Sequence, residues 1–393
     1  MTDMVHGSVH VDPYENGEPG LARWWRSVDR WTLALVLILF LIGLLLGQAA
    51  SPPLAERNGL DPFHYVTRQA FFGVLGLTVM LIISLMSPSA VRRCAIVAFI
   101  IVTIAVILLP VLGTNYGKGA TRWYSLGFMS LQPSEFLKPA FVIFAAWLMS
   151  ASFTRNGPPG RSLSFLVLMF LVALLAMQPD IGQASLLFAS WGVMVFVAGA
   201  PWAVLIGIVG LACGGLYAAY LLFPNHIAPR IDRFLEGEVG ANSQLEFATT
   251  AIREGGLFGV GLGEGSVKWR LPDAHTDYIV AVAAEEYGLV MVLVLLALFL
   301  TITLRAIWRL RLEKDPFIRI AGTGLAMLIA VQSFINIGVS ARLLPEKGMT
   351  LPFVSYGGSS LLAAGITLGM LLAFTRTRRQ DDLEDALYAG HVE

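Results

Sequence analysis

The segment Leu271–Gly288, LPDAHTDYIVAVAAEEYG, carries two aspartates and a histidine into an apolar helical pattern. Asp277 stands where that pattern begins. There the unpaired amides of a first helical turn favour its carboxylate, while apolar surroundings strip its water. A carboxylate so placed suits general-base chemistry, and an aspartate there also serves as a plain helix cap. His275, two residues earlier and on the opposite side of an extended segment, reads as an orienting or ligand-facing group. In QPSEFLK, Glu135 and Lys138 lie three apart on one helical face, the spacing of an ion pair. Asp180 follows Gln178 and Pro179 at a helix break. Glu285 and Glu286, two turns into the pattern Asp277 opens, cannot face lipid and read as interior glutamates supporting the site from behind. Arg122, Arg230, Arg233, Lys268 and Arg270 add positive charge at similar boundaries. An acid with many bases beside apolar sequence suits a lipid-linked pyrophosphate.

Other chemistries find less support. No His/Cys set has metal-ligand spacing, no Ser, His and Asp arrangement is visible, and Ser355–Ser360 lacks the G-x-S-x-G of a nucleophile elbow. Gly259 and Gly261 begin a G-x-G, but the third glycine of a dinucleotide fingerprint would fall on Glu264 and no strand precedes it. Close backbone packing, or approach to a ligand, accounts better for these glycines.

The elements that must position these residues follow from composition. With 56% hydrophobic and 14% charged residues among 393, the chain reads as an all-α polytopic membrane protein. Its net charge of zero gives no global attraction to nucleic acid. Cys94 and Cys213 lie in or beside apolar runs, which disfavours a disulfide framework. A spanning helix needs roughly 20 apolar residues. Ten stretches qualify: 31–50, 69–87, 94–112, 133–151, 162–178, 182–200, 202–223, 277–304, 319–338 and 360–375. Arginines in the short turns, such as Arg92, Arg93, Arg305, Arg309 and Arg311, put those turns and both termini in the cytoplasm. The organisation expected is a disordered cytoplasmic tail (1–22), a ten-span membrane domain (23–379) and a cytoplasmic tail (380–393). A long periplasmic loop (224–276) joins spans seven and eight. Within that loop, Ser243–Arg253 has the spacing of an amphipathic surface helix.

Five segments carry a family resemblance: RWYSLGFMSLQPSEFLKP (122–139), QPDIG (178–182), SQLEFATTAIREGGLFGVGLG (243–263), LPDAHTDYIVAVAAEEYG and LPEKGMTLPFVSYGGSS. In this order they resemble the SEDS family, the shape, elongation, division and sporulation proteins of bacteria. AHTDYI and KGMTLPFVSYGGSS are most similar to the division branch. WWRSVDRWTLALV and ASPPLAERNGLDPFHYV resemble its alphaproteobacterial form. The resemblance implies a peptidoglycan glycosyltransferase that joins lipid II units into undecaprenyl-pyrophosphate-linked glycan at the outer face of the inner membrane, at the division septum. It carries the family's essential loop aspartate onto Asp277, its span acid and lysine onto Glu135 and Lys138, and its QPD acid onto Asp180. Asp277 would be the base of an inverting transfer. Glu135, Lys138, Asp180, Arg122, Arg230, Arg233, Lys268 and His275 would bind substrate, with a divalent cation, magnesium or manganese, as an optional aid. A class B penicillin-binding protein supplying transpeptidation, with other division proteins, is the implied partner. The competing expectations are a lipid II flippase, which should show polar groups along a path through the membrane, and a non-catalytic division scaffold, which would not need Asp277, Glu135 and Asp180 together.

Overall fold

Several helices start where a capping residue or a proline precedes an apolar run. The computed structural model describes residues 20–114, 121–127, 129–222, 228–235, 244–345 and 348–377. Its first half holds α1 (Gly20–Ser27), α2 (Arg30–Arg57), α3 (His64–Leu85), α4 (Pro88–Leu112), α5 (Pro133–Ala151), α6 (Gly160–Ala176) and α7 (Ile181–Val197). There follow α8 (Trp202–Leu222), α9 (Ala228–Leu235), α10 (Gln244–Gly255), α11 (Ile279–Leu310), α12 (Pro316–Ser340) and α13 (Gly358–Phe374). A two-stranded antiparallel hairpin, β1 (Tyr124–Ser125) with β2 (Ser130–Leu131), leads into α5. Asp29 caps α2 by accepting from the Trp31 N–H at 3.2 Å, and Asp315 caps α12 by accepting from the Phe317 N–H at 2.8 Å. Proline at the first helical position of α4, α5 and α12 gives up an amide that has no intrahelical partner there.

The ten expected apolar stretches coincide, in order, with α2 to α8 and α11 to α13. Seven of these, α2 to α5, α8, α11 and α12, are long and apolar enough to cross a membrane. The other three, α6, α7 and α13, are apolar helices of 17 residues each. α12 lies at the centre, packed against α5, α7, α11 and α13. Small residues bring its neighbours close: a Cβ added at Gly324 would come within 2.7 Å of both Met194 and Val142. α8 is the opposite case, apolar yet exposed along nearly its whole length, as a helix facing lipid is.

The structure departs from the sequence expectation in five places. α1 begins inside the stretch assigned to the tail, and the Trp24 indole N–H ties it to Ser84 Oγ of α3 at 3.1 Å. The hairpin and α9 were not foreseen. Residues 272–278 form successive turns rather than an extended segment.

The fifth departure is a break inside α11 at Gly288, where φ is 76° and ψ is −172°. The Glu285 and Glu286 carbonyls, released from the helical ladder, accept from the Val260 and Gly261 amides at 2.9 and 3.2 Å. The Leu289 and Val290 amides, released on the other side, donate to the Gly256 and Leu257 carbonyls at 2.9 and 3.3 Å. The glycine-rich loop thus makes the four hydrogen bonds the break exposes, and close backbone packing is what its glycines permit.

Candidate functional site

Asp277 lines a cavity of about 210 Å³ together with Arg122, Asp273, Gln244, Asn336 and Met349. Three pieces of chain converge there. The 272–278 turns are organised by the Asp273 carbonyl, which accepts from the Thr276 and Tyr278 amides, both at 3.2 Å. Gln244, from the first turn of α10, donates to Asp273 Oδ2 at 2.9 Å. Asn336, on α12, donates to the Asp277 carbonyl at 3.0 Å and to the Met349 carbonyl, joining the turns to the 348–352 segment. The N-cap of α11 is Tyr278, with no side-chain cap hydrogen bond, so Asp277 stands one position outside the cap. Its partly exposed carboxylate lies beside Gly348, where an added Cβ would come within 3.4 Å of Oδ2.

Behind this cavity runs a buried polar network. Arg122 reaches it from the stretch before β1, donating Nε–H to the Gln178 carbonyl at 2.9 Å and Nη2–H to the Pro179 carbonyl at 2.6 Å. Arg122 therefore braces the helix break that carries Asp180. Burial pushes the Asp180 carboxyl up; the Arg122 charge opposes that, and Glu135 adds to it. Ser134 donates to Asp180 Oδ2 at 3.2 Å. Glu135 and Lys138 form the expected ion pair at 2.8 Å, with side chains only 6% and 5% exposed. Gln183 donates to Glu135 Oε1 at 2.6 Å, and Lys138 donates to Gln332 Oε1 at 3.0 Å. Glu135 and Lys138 line a separate, smaller space with Gln332, Ser360 and Thr367, not the Asp277 cavity.

The remaining expected residues lie elsewhere. His275 is buried in an aromatic cluster, its ring 5.0 Å from that of Tyr65 and 5.5 Å from that of Tyr356. Lys268 is buried in an ion pair with Glu286 and does not line the cavity. Glu285 accepts from the Val267 and Lys268 amides at 2.7 and 3.1 Å, holding the 3₁₀ turn Val267–Arg270 down onto α11. The two glutamates thus carry the loop that leads to Asp277. Arg230 and Arg233 belong to α9, but their side chains lie outside the described residues. Among the described residues, no group of three or more His, Cys, Asp or Glu is arranged to hold a metal ion.

Sequence reasoning did not select Asp273, Gln244, Gln332 or Asn336. Asp273 was visible in the same polar run as Asp277. Gln332 and Asn336 had a signal too, being two amides one helical turn apart in an otherwise apolar span.

Comparison with known proteins places this arrangement. Residues 29–380 match the FtsW/RodA/SpoVE family of cell cycle proteins. The chain belongs to that family. A relative from Caulobacter vibrioides, described as a probable peptidoglycan glycosyltransferase FtsW, is 43% identical over 359 residues, covering 91% of this chain and 92% of the relative. One from Haemophilus influenzae with the same description is 34% identical over 364 residues, covering 89% and 91%. Among solved structures, a chain of a peptidoglycan synthase complex that coordinates polymerization and crosslinking superposes with a TM-score of 0.75 at 26% identity, covering 89% of this chain and 98% of that one. Thermus thermophilus RodA, a rod shape determining protein, gives 0.66 at 27% identity, covering 89% and 97%. The division branch suggested by AHTDYI and the 347–360 motif is the one to which both relatives belong.

Proposed function

We propose that this chain is a peptidoglycan glycosyltransferase of cell division that polymerises lipid II, with Asp277 as general base. The observation that carries the reading is one cavity holding a partly exposed aspartate and an arginine, at the junction of the 272–278 turns with a membrane helix. In the step proposed, the 4-hydroxyl of the acceptor GlcNAc attacks the anomeric carbon of the donor sugar. Its proton passes to the Asp277 carboxylate, and the bond to undecaprenyl pyrophosphate breaks with inversion. The leaving group departs as a stable anion and needs no strong acid. Arg122, with the loop arginines Arg230 and Arg233, would meet the pyrophosphate charge. Glu135, Lys138 and Asp180 shape the wall behind. Asp273 beside Asp277 offers oxygen ligands of the kind magnesium or manganese takes, and such an ion would supply charge to the pyrophosphate when bound.

The organisation that goes with this reading is ten spans within 23–379, both termini cytoplasmic and the 224–276 loop periplasmic, in the inner membrane at the septum. A class B penicillin-binding protein is the fitting partner, as the structural likeness to a chain of a peptidoglycan synthase complex suggests. The test is lipid II polymerisation by the purified protein, with and without that partner. Asp277→Asn keeps size and hydrogen bonding but cannot take a proton. Loss of a general base typically slows a reaction about 100- to 10,000-fold, so glycan strands should vanish while membrane levels hold. Near wild-type polymerisation by folded Asp277→Asn would remove Asp277 from catalysis.

A further inference from the structure

Asn336 is 2% exposed, lines the Asp277 cavity and sits one turn after Gln332 on α12. Its neighbours fix the orientation of its amide. The carbonyl oxygens of Asp277 and Met349 both take hydrogen bonds from the side chain, so the group facing them must be the nitrogen, with both of its N–H donors used. That leaves Oδ1 on the other side, buried and without a hydrogen-bond partner. A buried carboxamide oxygen left unpaired is unfavourable, and such an atom in a native site calls for a missing donor.

We propose that Asn336 is a sugar-binding and positioning residue of the Asp277 cavity. Its nitrogen holds Asp277 to the 348–352 segment, and its oxygen accepts a hydrogen bond from a hydroxyl or acetamido N–H of the substrate sugar. This rests on the reading of the cavity as a glycosyl-transfer site and specifies which half of the lipid-linked substrate lies there. A pyrophosphate diester has no proton to give to a carbonyl oxygen, and its negative charge would meet the oxygen's lone pairs unfavourably. A sugar carries several donors. The anionic half of the substrate is then left to Arg122, which lines the same cavity.

The experiment compares two ligands on the full-length protein in complex with its transpeptidase partner: lipid II, and undecaprenyl pyrophosphate, which has the anion but no sugar. Asn336→Leu should weaken lipid II binding about five- to tenfold, the range expected for one neutral hydrogen bond, and leave undecaprenyl pyrophosphate within about twofold. Equal changes for both ligands, or none, overturn the proposal. Asn336→Asp keeps an oxygen but gives up the two donors. It should retain the preference for lipid II while kcat falls, because Asp277 is no longer held; loss of the preference overturns the proposal as well. If Asn336→Leu does not fold, Asn336→Asp decides alone. Should the wild-type complex bind both ligands yet fail to polymerise lipid II, the glycosyltransferase reading fails. Should it polymerise while neither variant behaves as stated, only the assignment of Asn336 fails.

Discussion

Removing the Lys138 ammonium alone should harm the fold more than removing the whole ion pair. Lys138 and Glu135 meet at 2.8 Å with side chains 5% and 6% exposed, so neither charge has water to fall back on. Lys138→Met leaves the Glu135 carboxylate with the Gln183 amide and strands Gln332 Oε1 without the Lys138 donor. Breaking a buried pair from one side typically costs about 3–5 kcal/mol, whereas replacing both partners with apolar groups is often close to neutral. The double variant Glu135→Leu/Lys138→Met still leaves the Gln183 Nε2 donor and the Gln332 Oε1 acceptor unpaired, a penalty of about 1–3 kcal/mol for each group. The single variant should therefore lose more than 3 kcal/mol, by roughly this reckoning, and adding Glu135→Leu should recover part of it. The assay is reversible unfolding in mixed micelles at rising SDS fraction, followed by tryptophan fluorescence, on wild type, both single variants and the double. Fully additive losses, or a Lys138→Met protein as stable as wild type, would refute the reasoning that the pair is desolvated and mutually dependent.

Gly288→Ala should destabilise the protein by roughly 1–3 kcal/mol from backbone strain alone, and further because its Cβ would run into the Leu257 carbonyl; membrane levels and the same micelle assay measure it. At Asp29, burial pushes the carboxyl pKa up, but hydrogen bonds from Arg305 and Thr32 and the charges of Arg309 and Arg305 outweigh it and hold it below the ordinary value. That stabilisation is present above the unfolded pKa of about 4 and is lost as pH falls through the folded value, so Asp29→Asn should lower stability at pH 7 and flatten the acid limb. Asp180 has the opposite sign: its raised pKa means stability falls as pH rises through the folded value, and Asp180→Asn should leave stability at pH 7 unchanged or higher. For topology, in a Cys94→Ser/Cys213→Ser background, Glu254→Cys should react with an impermeant thiol reagent on spheroplasts and Lys314→Cys should not. Equal labelling of these two exposed positions would overturn the assignment of the 224–276 loop to the outside.

The helices were legible because run length and hydropathy alone define them, and even the α6–α7 division followed from Gln178, Pro179 and Asp180. The break in α11 was not. Gly288 looks like any glycine inside a helical pattern, and what makes a break tolerable there is a glycine loop earlier in the sequence that makes the lost hydrogen bonds. Lys268 misleads for a related reason. A lysine in a long polar loop reads as available to substrate, and only the folded path of the 266–271 stretch brings it to Glu286. Glu135 and Lys138 were found by spacing because helical neighbours are a local property. Asn336 joins segments distant in sequence, and its meaning depends on which carbonyls lie beside it.

The separation between the ion pair and the Asp277 cavity is bridged by one face of α12. Gln332 takes a hydrogen bond from Lys138 and donates its own amide to the Thr350 carbonyl at 2.8 Å. One turn on, Asn336 donates to the Met349 carbonyl, adjacent in sequence to Thr350, and to the Asp277 carbonyl. A continuous chain of contacts therefore runs from Glu135 and Lys138 through two amides of a central, buried helix to the backbone of the proposed base. Glu135 and Lys138 need not touch substrate to matter for it. A shift of the 348–352 segment by less than an ångström would move Asp277 relative to Arg122, and misplacement of about 1 Å can already cost about 100-fold in rate. Replacing Gln332 should then lower kcat with little change in lipid II affinity, whereas Asn336→Leu changes both. That split separates the residue that transmits position from the one that also meets the sugar.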